Sequence, residues 1–133
     1  MTPKSILPLL LLTSAFALNP ASAEPLPATA KKATMEEFKA FADAKTVDVV
    51  IFDLGVPVTA TLVWSWNKKR ITGDALVNGK DKIKVKTKLS FQGDKACADQ
   101  DGKPSCHFIY LDGTKFHEVL DDGTVHATST LKL

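Results

Sequence analysis

From Thr46 onward apolar and polar residues alternate with period two, and only one stretch before that point has a helical period. That stretch opens at Thr34. Glu37 follows three residues later, which makes a capping box. Met35, Phe38, Phe41 and Ala42 fall on one face, with Glu36, Glu37, Lys39 and Asp43 on the other. The pattern predicts a short N-terminal helix ending near Lys45, where β-branched residues take over. Strands are predicted over 46–54, 58–66, 70–77, 82–91, 106–111, 115–120 and 124–131. Pro57 is tolerated at a strand start, and Gly73 suggests a bulge. Asn78-Gly79, Asp112-Gly113 and Asp122-Gly123 supply hairpin turns.

One helix and about seven strands at short, regular spacing define a mainly β domain. The expected architecture is an antiparallel meander forming a small barrel or a strongly curled sheet, with the helix at one end. No helix separates successive strands, which excludes a parallel α/β sheet.

The first residues have a different character. Lys4 precedes an apolar run from Ile6 to Leu18, and Ala21-Ser22-Ala23 provides small residues at a cleavage site. Residues 1–23 are therefore expected to be an export signal, with a periplasmic or secreted mature chain. Residues 24–33 hold two prolines and little to bury, and read as a flexible tether. Residues 34–133 form the single domain. No further apolar run is long enough for a transmembrane segment. Lys4 is the only charged residue before Glu24, so the mature chain keeps 16 of 17 basic side chains and all 15 acidic ones. That near-neutrality argues against nucleic acid as a partner. The charge is nonetheless polarised: residues 68–95 carry a net +6 and residues 97–123 a net −4.

Candidate chemistry is sparse. Cys97 and Cys106, the only cysteines, are expected to form a disulfide closing the loop between them. The chain-entropy value for so small a ring is about 2.5–3 kcal/mol. Asp99-Gln100-Asp101-Gly102 lacks the ligand spacing of a calcium loop. His107 and Glu118 are expected to be cross-strand partners, with His117 and His126 nearby. These four are candidates for a metal site or a proton-transfer pair, or are half-buried residues that satisfy one another. Trp64 and Trp66 share a strand face, as an aromatic platform or as core. Lys82, Lys84, Lys86 and Lys88 form a row on one strand face, roughly 7 Å apart, with Lys68, Lys69 and Arg70 in the preceding turn. The row is either a grip for an anionic glycan, lipid headgroup or acidic protein, or a solvated edge guarded by lysine. No nucleophile elbow or phosphate-binding glycine loop occurs, so no catalytic residue and no cofactor is expected.

The ordering resembles small exported proteobacterial domains of unknown function. It runs from Thr34-Met35-Glu36-Glu37-Phe38 through Val63-Trp64-Ser65-Trp66 and Gly73 to Cys97 and Cys106, then Tyr110 to Thr114 and Asp122-Gly123-Thr124. The resemblance implies a fold and a compartment, and brings no catalytic residues. Bacterial lysozyme inhibitors are similar in architecture alone, as small exported barrels with a disulfide. The expected function is a non-enzymatic binding module for an anionic partner. The alternatives are an inhibitor of a cell-envelope hydrolase, presenting the Asp99–Pro104 loop or the Asp121–Thr124 turn, and a metal-handling protein using the histidines.

Overall fold

The structure is a computed structural model that describes residues 24–133. The export signal expected over 1–23 lies outside the described residues. The elements are β1 (Lys31–Lys32), α1 (Met35–Ala42), β2 (Thr46–Ile51), β3 (Val58–Ser65), β4 (Arg70–Val77), β5 (Asp81–Gln92), β6 (Lys95–Gln100), β7 (Lys103–Asp112), β8 (Lys115–Val119) and β9 (Val125–Leu131). Strands β2 to β9 pair antiparallel in sequence order, and β9 pairs back onto β2, closing an eight-stranded barrel. The closed circuit leaves few free edges, and eight strands leave an interior that side chains can fill.

The inward residues of each strand are those the alternation selects: Val47 and Val49, Ala60, Leu62 and Trp64, Ile71 and Ala75, Leu89, Ala96, Ile109, Phe116 and Ala127. Four alanines among them make room for the large rings. α1 closes one end. Thr34 caps it by accepting from the Glu37 N–H at 3.1 Å, and Glu37 accepts from the Thr34 N–H at 2.8 Å. Phe38 is fully buried, with its ring 4.8–5.2 Å from those of Trp64, Trp66 and Phe116, all edge-on. The helix stops at Ala42 rather than Lys45. Asp43 turns its carboxylate onto the Trp66 N–H at 3.0 Å, and Ala44 (φ 62°) donates to the Trp64 carbonyl. These bonds tie the helix end to the end of β3, and a continuing helix would forfeit them.

Three other expectations are corrected. The loop expected between the cysteines is a hairpin: β6 and β7 stay paired beyond Cys97↔Cys106 to Gln100↔Lys103, and Asp101-Gly102, both at positive φ, make the turn. β6 escaped prediction because it is short and little of it alternates. Residues 24–33 are not a free tether from Pro27 onward. Thr29 donates to Asp112, β1 pairs with Leu111 and Tyr110, and Ala33 is buried. Gly73 is not a bulge, since β4 runs in unbroken register with β3 and β5. A Cβ there would lie 2.0 Å from the Thr61 carbonyl oxygen, so the glycine permits close strand approach. The bulge lies instead between Glu118 and Val119, which pair with Ala127 and Val125 and leave His126 unpaired with β8.

Candidate functional site

Two constellations of charged side chains stand out, on different parts of the barrel. The first is cationic. Strand register places Arg70 directly opposite Lys88, Thr72 opposite Lys86 and Asp74 opposite Lys84, all on the outer face. The turn from Ser65 to Arg70 is tightened by Ser65, whose hydroxyl accepts from the Lys68 N–H at 3.1 Å. Lys68, Lys69, Arg70, Lys86 and Lys88 thus converge on one depression of about 430 Å³, with Asp99 on its far wall. Asp99 is the cross-strand partner of Lys88, and one of its carboxylate oxygens is buried without a hydrogen-bond donor. Farther along β5, Lys84 reaches Asp74 at 3.6 Å, an exposed contact worth little. The alternation that made β5 legible thus puts Lys82, Lys84, Lys86 and Lys88 on one outer strand face, but only Lys86 and Lys88 join Lys68, Lys69 and Arg70 around this depression, and Lys82 lines a different one.

The second constellation sits at the end of β2 away from the helix. Asp53, just past β2, lies 2.6 Å from His126 Nδ1, which donates to it. The bulge turns the His126 ring onto that of His107, stacked at 4.3 Å and nearly parallel. His107 Nδ1 lies 3.9 Å from Glu118, too far for a hydrogen bond. Burial lowers the His107 pKa to about 4, helped by the adjacent His126, and burial raises that of Glu118 to about 7. At neutral pH His107 is therefore uncharged, and the two do not form an ion pair.

The expected register between β7 and β8 is off by two residues: Ile109, not His107, is the direct partner of Glu118. The reason is the turn, which is Gly113-Thr114 with Gly113 at φ 63°, rather than Asp112-Gly113. A two-residue shift preserves the face, so His107 and Glu118 still meet, diagonally. His117 does not join them. It faces the other way, and its Nδ1 lies 2.8 Å from the Thr128 hydroxyl oxygen, while its buried Nε2 has no partner. Burial lowers its pKa. Among the described residues no group of three or more His, Cys, Asp or Glu side chains is placed to hold a metal ion. Asp53 was missed because its approach to His126 spans 73 residues and depends on barrel closure.

The remaining candidates are structural. Trp64 is buried in the core and touches Phe38 and Phe116. Trp66 stacks on Phe91 at 5.7 Å. With one ring buried and the other stacked, the pair does not form an open platform. Cys97 and Cys106 form the disulfide, clamping β6 to β7 between directly opposed residues. A larger depression of about 620 Å³ lies over the outer face of β2 to β4. Its charges are of both signs and Thr61 already donates to Asp48 at 3.1 Å, so it creates no one-signed field.

Fold and surface define the class: a small disulfide-clamped, eight-stranded antiparallel barrel with a helix across one end and a cationic flank. No family model, curated protein or solved structure matches the chain. No helix among the described residues is long and apolar enough to cross a membrane.

Proposed function

We propose that this barrel is an exported, non-enzymatic binding module that takes an anionic partner on its β4–β5 flank. The observation that carries the reading is the convergence of Lys68, Lys69, Arg70, Lys86 and Lys88 on one depression. Arg70 and Lys88 are like charges facing each other across β4 and β5, and Asp99 beside Lys88 offsets only part of the positive charge of the five basic residues, which a bound anion would complement. The disulfide fits an oxidising compartment, in keeping with export. The histidine constellation supports an enzyme less well. Among the described residues no hydroxyl or thiol is hydrogen-bonded to His107 or His126, so the pair lacks a nucleophile to activate.

The test uses heparin and vesicles containing anionic lipid, against vesicles of neutral lipid, with native protein and a variant carrying Lys82→Gln, Lys84→Gln, Lys86→Gln and Lys88→Gln. Each lysine near an anionic surface is worth about 1 kcal/mol, so the variant is expected to bind at least tenfold more weakly. Native binding should also weaken with salt. Equal affinity of the two proteins for every anion contradicts the reading. Equal inhibition of a lysozyme by both would favour the inhibitor reading instead, which the clamped hairpin tip at Asp101-Gly102 would serve.

A further inference from the structure

β5 extends beyond its neighbour. Asp81 to Lys88 pair with β4, and Lys88 to Gln92 pair with β6, so Lys88 alone has strand partners on both sides. From Asp81 to Thr87 the side of β5 turned away from β4 has no strand against it among the described residues. Which backbone groups point there follows from one bond. Leu89 donates its N–H to the Lys69 carbonyl at 2.9 Å, on the β4 side. Backbone groups alternate sides along a strand, so those of residues 83, 85 and 87 also face β4. The N–H and C=O groups of Lys82, Lys84 and Lys86 face the open edge.

The side chains at that edge are sorted as well. Lys82, Lys84 and Lys86 are exposed on the outer face. On the opposite face Ile83 is 49% exposed and Val85 half-buried. A strand laid against this edge would meet cations on one side and apolar carbon on the other. A second copy of β5 is disfavoured there, because lysine would face lysine. The complementary occupant carries carboxylates on alternate residues and apolar side chains between them.

We infer that the open edge of β5 accepts an extended acidic peptide as an added strand. The backbone of Lys82, Lys84 and Lys86 would pair with it, their ammonium groups would face its carboxylates, and Ile83 and Val85 would pack against its apolar residues. The inference rests on the anionic-partner reading and specifies the chemistry of the partner.

The test leaves the protein unaltered and varies the ligand. A labelled, capped peptide alternating Glu and Val, of about eight residues, matches one strand in length. Its counterpart has N-methyl groups on alternate amides, chosen to face the protein, which removes edge hydrogen bonds while keeping charge and composition. A third peptide has the same residues with the alternation scrambled. Affinities are read by fluorescence anisotropy, and amide hydrogen exchange is followed at Lys82, Lys84 and Lys86. The expected result is at least about tenfold weaker binding after N-methylation, from the loss of two or three edge hydrogen bonds. Scrambling should also weaken binding, and exchange at the three lysine amides should slow with the parent peptide. Equal, salt-sensitive binding of all three peptides overturns strand addition and leaves the anionic-partner reading standing. Binding of heparin or anionic vesicles with no peptide binding assigns the site to a glycan or a membrane and also overturns the inference. Failure of every anion to bind removes both.

Discussion

Glu118 and His107 show how burial, rather than proximity, sets the charge of a side chain. Each lies in a site that disfavours ionisation, and their effects on stability have opposite signs. The folded Glu118 holds its proton up to about pH 7, above its ordinary 4.5, so stability falls as pH rises between these values. The folded His107 refuses a proton until about pH 4, below its ordinary 6.5, so stability falls as pH drops between those values. Each effect is worth about 3 kcal/mol. From about pH 4.5 to 6.5 the two slopes oppose each other, and from 6.5 to 7 only that of Glu118 remains. Glu118→Gln should remove the falling slope and leave the rising ones of His107 and His117, whose pKa burial also lowers. Urea denaturation of the variant is expected to show stability rising more steeply up to pH 6.5 than in the native protein, and no decline between pH 6.5 and 7, where the native protein declines. Parallel profiles for the two proteins would contradict this assignment. At this scale the sequence was readable where the face mattered and unreadable where the partner did. The alternation placed His107 and Glu118 on one face, but nothing local to β9 pointed to Asp53.

Among the elements, the β3–β4–β5 ribbon is where pattern and structure agree most closely. Its alternation is strong because its outer face is solvated, and the five-lysine run of charge on residues 80–88 lies on its exposed ribbon. β6 was hidden by its mixed pattern, and the loop reading of the cysteine segment followed from that. Gly73 marks the one place where β3 and β4 require a missing side chain. Gly73→Ala should cost about 1–3 kcal/mol, the range for forcing atoms into a packed interior. Gly79→Ala adds a Cβ with nothing within 4 Å and should cost less, since only its left-handed backbone (φ 70°) is affected. Comparing urea midpoints tests this, and equal small losses for both variants would show that the strands tolerate a methyl group between them.

For the whole molecule, closure explains what the pattern left open. Alternation alone cannot distinguish a barrel from a curled sheet, because both bury every second residue. The pairing of β9 with β2 decides it, and it joins segments about 80 residues apart. The same closure separates the basic flank from the histidine end, giving the barrel two regions with different chemistry. The first is the proposed partner-binding surface. Amide shift mapping of uniformly ¹⁵N-labelled protein, titrated with the alternating Glu–Val peptide and separately with heparin, tests that assignment most directly. The predicted result is that shifts concentrate on Lys68 to Arg70 and Lys82 to Lys88. Shifts confined to Asp53, His107, Glu118 and His126, or no shifts with either ligand, would contradict it.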